Sequence, residues 1–170
     1  MTDATSPPLG ERIAAALAHK PDGVLEAVAA SAGASLLQVL KSIPAHEVRF
    51  LPASAFENLW QKISSWGEVL MIVHTPDIVL ECTGALPSGT FGHGYFNIHG
   101  ESPIGGHIKA SNCAAIALVD RQFHGRKSCS LQFLNAAGEA MFKVFVRRDA
   151  ARQLDATQLA EFEKLWREEV

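Results

Sequence analysis

The spacing of apolar residues changes at Gly67, and this change constrains the fold more than any other feature of the chain. Before Gly67, apolar side chains such as Phe56, Leu59 and Ile63 recur every three or four residues, which is typical of helices with one buried face. After it, short β-rich runs alternate with turn residues such as Thr75-Pro76-Asp77, and no helical spacing separates them. Seven such strands without helices between them predict an α+β class built around a large, mostly antiparallel sheet.

The predicted elements follow from local start and stop signals. Residues 9–67 are predicted to be mainly helical, residues 68–148 mainly β, and residues 155–168 a closing helix, with residues 1–8 as a frayed tail. The predicted early helices cover Leu9–His19, Val24–Ser31, Ser35–Lys41 and a fourth that begins at a Ser54–Glu57 capping box, and Asp155 with Gln158 caps the last helix. The predicted strands are Val69–His74, Ile78–Cys82, Thr90–His99, Gly106–Ala110, Ala115–Arg121, Ser128–Leu134 and Met141–Arg147. A length of 170 residues fits a single domain.

Charge and cysteine content exclude several classes of protein. The net charge is −3, whereas a general nucleic-acid binder carries a basic patch. No segment is long and apolar enough to span a bilayer, and the three cysteines form no Cys-x-x-Cys pair. We therefore expect a reduced cytoplasmic protein without a disulfide framework.

Catalytic and zinc-site patterns are missing from the sequence. No paired Cys or His ligands of the zinc type and no Gly-x-Ser-x-Gly elbow occur, and Cys129 is predicted to pack inside a strand. The segment Leu25–Val39 has the outline of a helix-turn-helix but offers only Gln38 and Lys41 to DNA, so a helical hairpin that packs on the sheet is favoured.

The most distinctive residues surround Tyr95, the one tyrosine of the chain. Four of the seven histidines lie in the same region, namely His74, His93, His99 and His107. If residues 91–99 form one strand, the period of two places Phe91, His93, Tyr95, Asn97 and His99 on one face. Tyrosine and histidine are frequent axial ligands of porphyrin iron, so this face is a candidate haem site. A half-buried packing role for Tyr95 is the alternative.

Several short motifs, which occur in the same order in a known family, make this chain similar to that family. They are Lys20-Pro21-Asp22-Gly23-Val24-Leu25-Glu26, Trp66-Gly67-Glu68-Val69, Val73-His74-Thr75, Leu86-Pro87-Ser88-Gly89, His93-Gly94-Tyr95-Phe96-Asn97, Gly105-Gly106-His107-Ile108-Lys109-Ala110 and Arg148-Asp149-Ala150-Ala151-Arg152-Gln153-Leu154. With these motifs the chain resembles the cytosolic haem-utilisation carriers called HutX, ChuX or ShuX. The resemblance implies a homodimeric carrier, similar in fold to one half of the larger HemS-type proteins, that passes haem to a haem-degrading enzyme.

The resemblance also implies site residues, because Tyr95, His74 and His107 match haem-linked positions of the family. We expect Tyr95 to be the axial ligand of Fe(III), with His107 or His74 as the alternative ligand and His93 as a residue that tunes it. Lys109, Arg121 and Arg126 are the candidate partners of the haem carboxylates.

Two alternatives to the carrier remain open from the sequence. One is an enzyme that degrades or reduces haem, although no nucleotide-binding fingerprint accompanies the motifs. The other is a haem-responsive regulator that binds DNA through Leu25–Val39.

Overall fold

Five helices and nine strands make up residues 6–168, the part of the chain that the computed structural model describes. The helices are α1 (Leu9–His19), α2 (Leu25–Ala32), α3 (Leu36–Lys41), α4 (Phe56–Ser64) and α5 (Ala156–Arg167). The strands are β1 (Val48–Pro52), β2 (Glu68–His74), β3 (Val79–Ala85), β4 (Gly89–Gly92), β5 (Tyr95–Ile98), β6 (Gly106–Ile108), β7 (Cys113–Phe123), β8 (Arg126–Asn135) and β9 (Ala140–Phe145).

The strands form two antiparallel sheets. The large sheet has the order β1-β7-β8-β9-β2-β3, and the small sheet has the order β4-β5-β6. Helices precede and follow the strands along the chain, so the predicted α+β class is confirmed. Strand β1 pairs with β7, which lies far along the chain, so the large sheet joins residues that are distant in sequence.

The main core lies between one face of the large sheet and a layer made of α4, α5 and the small sheet. Trp60 of α4 and Phe96 of β5 are fully buried there, with ring centroids 5.4 Å apart in an edge-to-face arrangement. Phe133 and Phe142 stack on each other at 4.4 Å across β8 and β9. Aromatic pairs of this kind contribute about 0.5–1.5 kcal/mol each beyond the burial of their surface.

The opposite face of the large sheet is covered over one half only. Helices α1, α2 and α3 bury Ile13, Val28 and Val39 against Ala117 and Val119 of β7. The predicted hairpin of helices therefore packs on the sheet, and Gly33 ends α2 in the left-handed conformation, with φ 62°. The half of this face that β8, β9, β2 and β3 form is the wall of a cavity.

The predicted single strand over residues 90–99 is wrong. His93 (φ 52°) and Gly94 (φ 81°) form a tight turn that joins β4 to β5, because two positive φ values match the twist of a two-residue hairpin. The reversal pairs Phe91 with Phe96 and Gly92 with Tyr95. Phe91 therefore shares a face with Phe96, and His93 lies in the turn instead of on the Tyr95 face.

Of the two predicted helix caps, one is wrong and one is confirmed. The Ser54–Glu57 capping box does not form, because a 3₁₀ turn at Ala53–Ala55 precedes α4 and its first residue has no side-chain cap. Asp155 does accept a hydrogen bond from the Gln158 backbone N–H, at 2.9 Å, as predicted. Of the predicted tail, residues 1–5 lie outside the described part of the chain.

A single methyl group at Gly89 is expected to destabilise the small sheet. A Cβ atom built there would lie 2.0 Å from Cε1 of Phe96, whose ring is fully buried. Since overpacking of a core costs about 1–3 kcal/mol, Gly89→Ala should lower the free energy of unfolding by about that amount. Gly10→Ala is the matched control, because no atom lies within 4 Å of its Cβ position in α1. Equal urea midpoints for the two variants would contradict the packing described.

Candidate functional site

The outer face of the small sheet presents Tyr95, Asn97 and His107 side by side. Asn97 pairs with His107 across β5 and β6, and the Tyr95 and His107 rings have centroids 6.1 Å apart. Tyr95 is 43% exposed, so its phenol is accessible. The opposite face of β5 buries Phe96 and Ile98 in the main core, which fixes the outward direction of the Tyr95 face.

Asn97 sets which nitrogen of His107 is free. Its amide nitrogen donates to the carbonyl oxygens of Gly92, at 3.1 Å, and Thr90, at 3.3 Å, so its Oδ1 is an acceptor. His107 Nδ1 lies 2.7 Å from that Oδ1 and must carry the proton. In the neutral form of His107 the lone pair is then on Nε2, the arrangement in which an imidazole binds a metal.

A cavity of about 570 Å³ occupies the open half of the large sheet, on the face opposite the main core. This volume lies within the range of small-molecule sites. Its apolar wall includes Leu70 and Ile72 of β2, Val119 of β7 and Phe145 of β9, and His74 lies at one end of β2. The cavity is therefore mainly apolar with one imidazole in its wall.

A buried ionic cluster joins α2 to the cavity wall. Lys143 Nζ forms an ion pair with Glu26 Oε1, and His74 Nδ1 lies 3.5 Å from the same oxygen. The side chains of Lys143, Glu26 and His74 are only 7%, 17% and 22% exposed. At 3.5 Å the carboxylate is an electrostatic neighbour of the His74 imidazole and is not a hydrogen-bond acceptor for it.

Loss of Lys143 should be costly because it leaves the Glu26 carboxylate buried without a cation. We expect Lys143→Met to lower the free energy of unfolding by about 3 kcal/mol, and the double variant Glu26→Gln/Lys143→Met to lose much less. Lys62→Met is the control, since the Lys62–Glu168 pair is 37% and 45% exposed and should contribute at most about 1 kcal/mol. Equal urea-unfolding losses for Lys143→Met and Lys62→Met would contradict the role of the cluster.

Arg121 lines the cavity, and its guanidinium contacts other parts of the chain. It donates to the carbonyl oxygens of Gly23, at 3.2 Å, and Pro21, and its Nε lies 3.8 Å from Glu47 Oε2. Burial lowers the pKa of Arg121 from its ordinary value, and the charges of Glu47 and Asp22 oppose that shift. Arg121 thus ties the loop before α2 to β7.

The predicted site residues fall into two groups on different surfaces. Tyr95 and His107 share the outer face of the small sheet, His93 lies in the adjoining turn, and exposed Lys109 follows β6. His74 and Arg121 lie in the wall of the cavity instead. This division was not predicted from the sequence.

Asn97 as a partner of His107, and the pair Glu26 and Lys143, were not predicted as site residues. The available signal was Lys143 itself, a single charge inside the apolar run Met141-Phe142-Lys143-Val144-Phe145. A charge in such a strand is stable only with a buried partner.

Cys129 is a packing residue, as predicted. Its side chain is 1% exposed within the main core, and burial raises the pKa of the thiol to about 12, with the charge of Asp120 adding to the shift. A thiol of that kind is a poor nucleophile.

Two further features of residues 6–168 bear on ligands and membranes. No helix in this range could cross a bilayer. Within the same residues, no group of three or more His, Cys, Asp or Glu side chains is placed to hold a bare metal ion.

Comparisons with known proteins agree on one family. A family model described as haem utilisation ChuX/HutX matches residues 49–165. The intracellular heme transport protein HutX of Vibrio cholerae is 28% identical over 158 residues, which are 92% of this chain and 82% of that protein. A crystal structure of a protein from Agrobacterium tumefaciens is 54% identical with a TM-score of 0.84, over 92% of this chain and 89% of that one. A structure of the heme binding protein ChuX is 40% identical with a TM-score of 0.81, over 93% and 96% of the two chains.

The fold also matches one half of longer proteins. PhuS, a heme-binding protein from Pseudomonas aeruginosa, has a TM-score of 0.71 at 16% identity, and the match covers 91% of this chain but 45% of PhuS. This likeness concerns the fold alone. It confirms the prediction that the chain is similar in fold to one half of a larger protein.

Proposed function

The chain belongs to the haem utilisation ChuX/HutX family, and from this premise we propose that it is a cytoplasmic carrier that binds haem and passes it to a haem-degrading enzyme. The observation that carries the proposal is the apolar cavity of about 570 Å³ with the imidazole of His74 in its wall. Haem is a flat, largely apolar plate that needs an apolar wall and at least one axial ligand. Leu70, Ile72 and Phe145 supply the wall.

We propose Tyr95 as the axial ligand of Fe(III). Phenolate is an anionic oxygen ligand that favours Fe(III) over Fe(II), and a bound phenol gives up a proton whose ordinary pKa is about 10. Such a bond loosens on reduction or protonation, which suits a carrier that must release its cargo. Exposed Tyr95 and the free Nε2 of His107 lie close enough for His107 to take over in the ferrous state.

A homodimer would unite the two groups of site residues. In one chain, Tyr95 and His107 lie on the outer face of the small sheet, whereas His74 lies in the cavity on the far side of the large sheet. We propose that the small sheet of one copy covers the cavity of the other, so that each haem lies between two chains. Edge strand β3 also carries exposed apolar residues next to the cavity, since Val79 and Leu80 are 53% and 56% exposed. Light scattering should give twice the chain mass at micromolar concentration, and a monomer mass would contradict the dimer.

The carrier and a haem-degrading or haem-reducing enzyme differ in what happens to the porphyrin. Purified protein is incubated with haem and a reductant under air, and the absorption spectrum is followed. The proposal predicts that the porphyrin bands persist after reduction, apart from the shifts caused by the change of iron redox state. Loss of those bands at a rate above that of free haem would favour an enzyme instead.

A further inference from the structure

A second cavity, of about 500 Å³, adjoins the larger one at its Arg148 end. Arg148 and Leu154 line both cavities, so the two spaces share a wall. The second cavity is lined by four cationic side chains, those of Arg126, Lys127, Arg148 and Arg152. We call these four residues the basic cluster.

Most of the positive charge of the basic cluster is not neutralised. Lys127 pairs with Asp120 at 3.2 Å. Arg126, Arg148 and Arg152 have no carboxylate within ion-pair distance among residues 6–168, in a chain whose net charge is −3. Three unpaired guanidinium groups around one concave space attract an anion.

Arg148 is held in place by neutral groups. Its guanidinium donates to the carbonyl oxygens of Arg152, at 3.2 Å, and Lys127, at 2.5 Å. Carbonyl oxygens fix the side chain without cancelling its charge. Arg148 is therefore a preoriented cation, and a ligand that binds it meets little additional cost in side-chain entropy.

The other cations in the wall of the larger cavity differ in this respect. Lys143 is paired with Glu26, Arg121 faces Glu47, and Arg147 is paired with Glu68. Of the cations that line the larger cavity, Arg148 alone has no carboxylate partner among the described residues. A ligand in that cavity would therefore place an anionic group most favourably at the Arg148 end.

We propose that the basic cluster binds the two carboxylates of haem while the ring occupies the larger cavity. This inference rests on the proposed haem-carrier function. Planar guanidinium groups match carboxylates with paired, charge-assisted hydrogen bonds. The assignment replaces Arg121 and Lys109 as carboxylate partners, since Arg121 faces the Glu47 carboxylate and Lys109 does not line the cavity. It retains Arg126.

The test compares haem with haem dimethyl ester, which keeps the ring and the iron but lacks both negative charges. Each is titrated into the wild type, Arg126→Gln/Arg152→Gln, Arg148→Gln and the control Lys41→Gln, which removes one exposed charge at the end of α3. The wild type should bind haem more tightly than the ester. Arg126→Gln/Arg152→Gln should weaken haem binding about tenfold, because it removes two exposed ion pairs between arginine and carboxylate, each of at most about 1 kcal/mol. The affinity for the ester should change by less than about twofold. Lys41→Gln should match the wild type for both ligands.

The outcomes separate this inference from the function on which it rests. Wild type that gives no saturable change with haem overturns the carrier proposal itself. Wild type that binds haem and ester equally well, with Arg126→Gln/Arg152→Gln unchanged, overturns the carboxylate site alone. Equal losses for haem and ester in the double variant would show that the arginines act on the cavity and not on the carboxylates, and would overturn the inference too. Arg148→Gln should reduce the ratio of haem affinity to ester affinity. Arg148→Lys keeps the charge, so it should recover part of that ratio.

Discussion

Tyr95→Phe is expected to abolish the high-spin tyrosinate spectrum of the ferric protein and to speed haem dissociation by at least about tenfold, or about 1.4 kcal/mol. The variant keeps the aromatic ring and removes only the oxygen that we propose as the Fe(III) ligand. The ring is 43% exposed on the outer face of the small sheet, so the fold should survive. Absorption spectra and haem transfer to an excess of apomyoglobin measure the two effects, and urea unfolding checks the fold.

Thr90→Ala is the control for Tyr95→Phe, because Thr90 is an exposed residue opposite Asn97 on the same face. It should leave the spectrum and the off-rate unchanged. His107→Ala should weaken ferric binding less than Tyr95→Phe does, and relatively more after reduction. If Tyr95→Phe had no effect while His74→Ala or His107→Ala abolished binding, the tyrosinate assignment would be wrong and histidine would be the anchor.

Mixing chains that carry Tyr95→Phe with chains that carry His74→Ala, each weakened in haem binding, is expected to restore part of the wild-type affinity. If each haem lies between two chains, homodimers of Tyr95→Phe and of His74→Ala each carry two damaged sites. A dimer with one chain of each kind has one site with both residues and one site with neither. Random association of equal amounts should therefore restore about one quarter of all sites. The two chains are co-expressed with different tags and titrated with haem.

In the control for the mixing experiment, chains that carry Tyr95→Phe are co-expressed with chains that carry His107→Ala. Tyr95 and His107 lie on the same face of the same chain. A mixed dimer therefore has no site in which both residues are intact, and no gain in haem binding is expected. Absence of any recovery in the Tyr95→Phe and His74→Ala mixture would place the whole site within a single chain. That result would overturn the composite site and leave the carrier proposal standing.

The sequence predicted the elements whose signals are local. The amphipathic spacing of Leu9–His19 and of Ala156–Arg167, with the Asp155 cap, corresponds to helices in the structure. The antiparallel strands of the second half were predicted because alternation and turn residues recur within a few positions of each other. Strand β1 was missed since Val48–Pro52 is short and ends in proline.

The arrangement of the site depends on information that is not local. A histidine at positive φ is uncommon, so His93-Gly94 was not recognised as a turn, and Phe91 and His93 were wrongly assigned to the Tyr95 face. The separation of Tyr95 from His74 depends on which faces of two sheets pack together. The ion pair of Glu26 and Lys143 joins residues 117 positions apart, which no periodicity reveals.

The most direct test of the carrier proposal is a haem titration followed by absorption spectroscopy. Haem is added in small steps to the purified protein and to a buffer reference, and the difference at the Soret band is plotted against the ratio of haem to chain. We predict a saturable change with an end point at one haem per chain, because each chain contributes one cavity and one Tyr95 face. A difference that rises without saturation, or none at all, would contradict the proposed function.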